Sequence, residues 1–351
     1  MLRLQLSRCL LYPWFALVAL LGMSHPAMAV ETLRILTWPG YADTDLVKVF
    51  EHRHGIQVKV TLVGNDEALR ARMAADKGAH FDVFAANTAE MAHYIDAGLS
   101  LPIEMRNIPN TRRQRPRFSH LNEIQGITRA GKVYAVPYTY SEMGLIYDRR
   151  QFKTAPTSLS VLWDPRYAGK VLLFDGGTHN FSLAALSLGL DPFHIPPAAA
   201  NHVLHKLLAL RRNALSFYRL PEEATQLFRE QSAALLFANY GSQQVKQLRD
   251  AGADVGYMVP REGALAWLDC WAISRGTRNK ALAEAWINYT LEPAVSLALS
   301  VRQGLPNTLE APSMTHPSDR LIWLQPVEND AWRTQKWQRI LSGERESHLT
   351  P

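Results

Sequence analysis

Short apolar runs alternate with helical stretches over the first hundred residues, at a spacing that points to a parallel α/β sheet. Residues 33–37 have strand character. Thr44 then caps a helix running through Leu46, Val47 and Phe50, which Gly55 ends. Residues 56–63 alternate as a second strand and 66–77 have helical spacing. Residues 81–86 make a short buried strand, and 89–97 a helix stopped by Gly98. The pattern breaks at 102–131, a stretch rich in Pro, Asn and Arg that reads as surface loop. A strand at 133–138 leads into Thr139 and Tyr140. A second α/β set follows, with strands at 170–174, 233–238 and 255–260 and helices at 181–188 and 198–210. The segment 264–273 is apolar but for one carboxylate, Asp269. Helices are predicted at 280–291 and 330–341.

The first 29 residues stand apart. Arg3 and Arg8 give a basic start, and 10–23 is an apolar stretch. A transmembrane helix needs roughly 20 such residues, so this one is short for a span. Ala27-Met28-Ala29 has the small-x-small ending of a cleavable secretory signal peptide, so cleavage is expected after Ala29 and the mature chain is expected in the periplasm. The 322 residues that remain of 351 exceed one ordinary core and suit two domains or one bilobal unit. Cys9 leaves with the signal peptide. Cys270 is then alone, and the fold must be held by its core rather than by disulfides.

Without Arg3 and Arg8 the formal charge of +6 falls to +4, and the basic residues are scattered apart from Arg112-Arg113-Gln114-Arg115. A nucleic-acid surface would need a sustained basic stripe. There is no nucleophile elbow, no phosphate-cradling glycine loop and no paired-carboxylate motif. His179 near Asp175, Cys270 beside Asp269, and the pairs His52/His54 and His202/His205 fall short of a catalytic or metal site. The chain therefore reads as a monomeric non-enzyme that needs no cofactor and no metal.

Five separated segments carry a family likeness. They are 33–41, with Trp38 and Tyr41 after the strand; 81–88, ending in Asn87 and Thr88; and 135–140, running on to Gly144 and Tyr147. The fourth is 259–269, with Gly263, Trp267 and Asp269 followed by Asn279-Lys280, and the fifth is the tail around Gln325 and 333–337. In this order they resemble the spermidine/putrescine-binding proteins of bacterial ABC importers. The resemblance implies a two-lobed periplasmic-binding-protein fold (type II), with the ligand cleft between lobes at the C-terminal strand ends. Its implied division is 30–138 plus 268–320 as one lobe and 139–267 plus 321–351 as the other. The implied ligand-binding residues are Trp38, Tyr41, Asn87, Thr88, Tyr140, Trp267, Asp269 and Gln325. The implied partners are a small amine ligand and the membrane permease of an ABC importer, reached by hinge closure. A membrane sensor in place of the permease, or a same-fold binder of another solute, remains open. A ferric-ion binder would want adjacent tyrosines, which the chain lacks.

The chemistry of these residue types agrees. Trp267 and Asp269, two apart on an extended segment, face the same side. The carboxylate can fix an ammonium while aromatic faces cover the methylenes beside it. The chain also departs from the family. Where Asp-Asp-x-x-Glu is common it has Asp175-Gly176-Gly177-Thr178-His179, a Trp and carboxylate site becomes Asn239-Tyr240-Gly241-Ser242, and a pocket Tyr becomes Leu305. One anionic anchor, Asp269, is therefore expected, with a nearly neutral far end. Glu142 or His179 are candidates to enter the cleft there. Such a cleft suits a ligand with one amine at least as well as a polyamine.

Overall fold

The computed structural model describes residues 30–311 and 320–344. The signal-peptide reading of 1–29 lies outside them. Among the described residues no helix is long and apolar enough to cross a membrane.

The chain opens with the expected alternation: β1 (Thr32–Thr37), α1 (Thr44–His54), β2 (Gln57–Leu62), α2 (Asp66–Ala74), β3 (Val83–Asn87) and α3 (Thr88–Asp96). A short β4 (Ser100–Leu101), one helical turn α4 (Pro116–Ser119) and the hairpin β5 (Thr128–Arg129) and β6 (Lys132–Val133) precede β7 (Ala135–Glu142). Then come β8 (Leu145–Asp148), β9 (Val171–Phe174), α5 (Gly177–Ser187), α6 (Ala200–Asn213), β10 (Ala214–Tyr218), α7 (Pro221–Glu230), β11 (Leu235–Phe237), α8 (Ser242–Asp250) and β12 (Val255–Met258). The chain returns through β13 (Ala264–Ser274), α9 (Lys280–Thr290), α10 (Pro293–Gln303), β14 (Leu321–Trp323) and α11 (Asp330–Leu341).

Two main sheets result. The first has the order β14-β13-β3-β1-β2, with β4 and β7 also paired to β13. The second has the order β10-β9-β11-β8-β12. β1 runs parallel to both β2 and β3, as strand–helix–strand connections require. β13 runs antiparallel to β3 and β7. By this pairing residues 139–142, 264–267 and 321–323 all belong to the first sheet. The chain leaves it after Glu142 and regains it before Ala264.

Both faces of the first sheet are covered at its centre, which is why β3 and β13 are buried along their whole length, while the edge strand β2 alternates. Leu33 and Ile35 of β1 pack in one core with Phe50 and Trp286, and Leu36 in the other with Phe84 and Tyr94. All eleven residues of β13 are buried.

Three differences from the sequence reading have physical causes. Helix α2 stops at Ala74, not Lys77, because Asp76 and Lys77 take left-handed backbone conformations ahead of Gly78. That turn is clamped. The Arg34 guanidinium reaches the carbonyls of Ala79 (2.5 Å) and Gly276 (2.8 Å) and binds the Asp82 carboxylate with two bonds of 2.8 Å. Removing the arginine would strand a buried carboxylate, so Arg34→Met should cost about 3 kcal/mol in urea unfolding. Residues 102–131 are not simple surface loop, since Ile103, Ile108, Phe118 and Ile127 are buried and the Gln114 amide donates to the Pro137 carbonyl (2.6 Å). Helix α5 begins four residues before the predicted 181, at the Gly177 that sequence propensity discounts.

Candidate functional site

A cleft of about 490 Å3 lies where the strand ends of the two sheets face each other. Its floor is set by one irregularity. In the pairing of β13 with β7, Cys270 stands opposite Pro137 but Asp269 opposite Thr139, so Tyr138 is an extra residue and the strand bulges there. Proline has no N–H for the ladder, and bulges are a common way to re-aim a side chain at a site. Asp269 also pairs with Asn87, the last residue of β3. Its carboxyl thus sits at the junction of three strands, where β3 gives way to α3.

Asp269 is buried, and one oxygen accepts a 2.7 Å hydrogen bond from the Tyr41 hydroxyl. Burial pushes its pKa up to about 7, against a smaller lowering by Tyr41. Among the described residues no Lys or Arg forms an ion pair with it. Tyr41 is itself braced edge-on by Tyr138 (5.5 Å) and Trp271 (6.3 Å). Trp267 lines the cleft on the same side as Asp269, and its indole N–H donates to the Asn239 carbonyl at 2.9 Å, joining the first sheet to the segment that follows β11 of the second. Trp38 lines the wall, and its indole nitrogen is buried without a hydrogen-bond partner.

Of the eight residues singled out from the sequence, Trp38, Tyr41, Asn87, Trp267, Asp269 and Gln325 line this cleft. Asn87 has structural work there too. Its carbonyl oxygen caps α3 by accepting from the Glu90 N–H (3.0 Å), and its amide donates to Asp66 (3.2 Å). Gln325 is exposed at the rim. Thr88 and Tyr140 do not line the cleft. Thr88 is the first residue of α3, its carbonyl against Gly126, and Tyr140 is buried against Phe118 at 5.0 Å on the far side of the sheet. Of the two open candidates, His179 lines the cleft and Glu142 does not. Burial holds His179 down to about 4, so it is neutral near pH 7. Cys270, beside Asp269, is fully enclosed in the opposite core, and burial raises its thiol.

The expectation of a single anionic anchor does not hold. Asp66, Glu67, Glu90 and Asp330 also line the cleft, around Arg70. Arg70 Nη1 lies 2.6 Å from Asp330 and Nε 3.4 Å from Glu90. Burial, then the charges of Glu90, Asp269 and Glu67, push Asp66 well up, and burial brings Glu90 to about 7 despite Arg70. Asp330 is held low against its burial by the Thr178 hydroxyl and by Arg70. Asp66, Glu90 and Asp330 each stand in the first turn of a helix, α2, α3 and α11. The usual reading of acids there is dipole compensation. Helices that follow strands in such sheets start beside the cleft, so first-turn acids were the available signal.

The model of the bacterial extracellular solute-binding protein family matches residues 45–318. The chain belongs to that family. It is 26% identical over 284 residues to spermidine/putrescine-binding periplasmic protein 1 of Haemophilus influenzae, covering 80% of this chain and 76% of that one. It is 25% identical over 324 residues to the spermidine/putrescine-binding periplasmic protein of Escherichia coli, covering 89% and 90%. Its structure resembles a spermidine/putrescine transporter substrate-binding protein from Streptococcus pneumoniae, with a TM-score of 0.71 at 21% identity, covering 92% of this chain and all of that one. The fold is the type II periplasmic-binding-protein fold.

Proposed function

We propose that this chain is a periplasmic receptor that closes around a small amine-bearing solute and delivers it to the membrane permease of an ABC-type importer. The observation that carries this reading is Asp269, a buried carboxyl at the cleft floor with aromatic walls and no ion-paired cation among the described residues. A buried carboxylate is costly unless paired, and a ligand ammonium is a fitting partner. The indole and phenol faces of Trp38, Trp267 and Tyr41 suit the methylenes beside such a cation. The relatives named for spermidine and putrescine support the same class of ligand. Export by the signal peptide cut after Ala29 would place the receptor in the periplasm.

Closure works through contacts that cross between the lobes. The Trp267–Asn239 bond ties the first sheet to the second, and the Arg70–Asp330 pair ties α2 to α11 across the cleft. A ligand touching both sides favours the closed population that a permease reads. The test is calorimetric titration of the mature protein with putrescine, spermidine, acetylated polyamines, monoamines and amino-acid derivatives. At least one amine should bind to wild type and fail to bind to Asp269→Asn. Silence toward every amine would reject the ligand class.

A further inference from the structure

Arg70 is the one Lys or Arg among the described residues that line the cleft. Asp330 reaches it from α11 at 2.6 Å and Glu90 from α3 at 3.4 Å, and Asp66, one turn earlier on α2, feels its charge. Carboxyls from three helices, on both sides of the cleft, thus gather round one guanidinium. A ligand ammonium would otherwise complete this arrangement. It forms a second anionic centre beside Asp269, and the protein's own cation already fills it.

We infer that Arg70 is a specificity-determining residue that occupies the cleft's second cation subsite and restricts the ligand to molecules with one ammonium and an uncharged far end. This rests on the amine-binding reading above. The first ammonium goes to Asp269 in either case. A diamine would bring its second ammonium against a guanidinium that already neutralises part of the charge of Asp330 and Glu90. That is a repulsive element of the kind by which sites reject a near relative of their ligand. An acylated diamine meets Arg70 with an amide instead. The amide oxygen can accept from guanidinium N–H groups that the two carboxylates leave over.

The experiment titrates putrescine and N-acetylputrescine into the mature wild-type protein, Arg70→Gln and Arg70→Lys at pH 8. Wild type should bind N-acetylputrescine about tenfold or more tighter than putrescine. Arg70→Gln frees Asp66, Glu90 and Asp330 and should move that ratio about tenfold or more toward putrescine. A circular dichroism spectrum and a melting temperature close to those of wild type would report an intact fold. Arg70→Lys keeps the charge and should keep the wild-type order, which separates charge from packing. A wild-type preference for putrescine, or a ratio that does not move in Arg70→Gln, overturns the inference while leaving an amine receptor standing. Binding of neither amine to any of the three proteins rejects the amine reading itself and this inference with it.

Discussion

Asp269→Asn should weaken amine binding about 100-fold or more and, at the same time, make the ligand-free protein more stable above pH 7. The binding half follows from charge. An ammonium on a buried carboxylate is a charge-assisted contact, and an amide cannot balance the cation, so the loss should be about 100-fold or more. The stability half follows from the pKa. In the fold the carboxyl titrates at about 7, against 3.8 unperturbed. A carboxyl raised in the fold contributes stability that is present below its unfolded value and lost as pH rises through its folded value. The wild-type protein therefore sheds up to about 4 kcal/mol between pH 4 and pH 8, a loss that asparagine does not share. Tyr41 can still donate its hydrogen bond to the amide oxygen. Scanning calorimetry without ligand should find the two proteins alike near pH 4 and the variant melting several degrees higher at pH 8, at roughly 2 °C per kcal/mol for a chain of this size. A melting difference that does not change with pH would mean that Asp269 is not held protonated in the empty cleft.

Affinity for an amine should rise steeply with pH over the same range. Below pH 7 the ligand must displace a proton from Asp269, while its own ammonium stays charged to about pH 10. Affinity should therefore gain about tenfold per unit from pH 5 to pH 7 and then level off. Tyr41 bonds the carboxyl directly, Asp66 lies close enough to feel its charge, and Glu90 titrates in the same window near Arg70. Ionisation of Glu90 adds negative charge to the cleft and so steepens the rise. Binding at pH 6 should release about one proton per ligand, measured by repeating the titration in buffers of different ionisation enthalpy. Affinity flat from pH 5 to pH 8 would exclude Asp269 as the anchor.

The first α/β set, β1 to α3, was legible because its elements are local. Gly55 and Gly98 stop α1 and α3, both in left-handed conformations that glycine adopts without strain, and the strands between are apolar runs. Asp269 was legible because a lone carboxylate in an eleven-residue buried strand has no other business there. The bulge that aims it was not, since that depends on Pro137 lying opposite Cys270 across a gap of more than a hundred residues. Helices α7 and α8 were not legible because their polar faces mask the few positions they bury, such as Ala224 and Phe228 of α7, and α10 was not because it exposes Leu297 and Val301 as well as burying Val295 and Leu299. The acidic cluster escaped for a related reason. Asp66, Glu90 and Asp330 each look like an ordinary helix-start residue, and only the convergence of α2, α3 and α11 makes them one site. Tyr140 carried a family position without the geometry. Alternation along β7 sends its ring to the face packed on Phe118.

A crystal structure of the mature protein with the tightest-binding amine from the titration panel tests the central claim most directly. The account predicts the ligand in the cleft between the two sheets, its ammonium nitrogen about 2.7–3.0 Å from an Asp269 oxygen, with Trp267 and Trp38 against its methylenes. An amine held elsewhere, with Asp269 still bonded to Tyr41 alone, would contradict it.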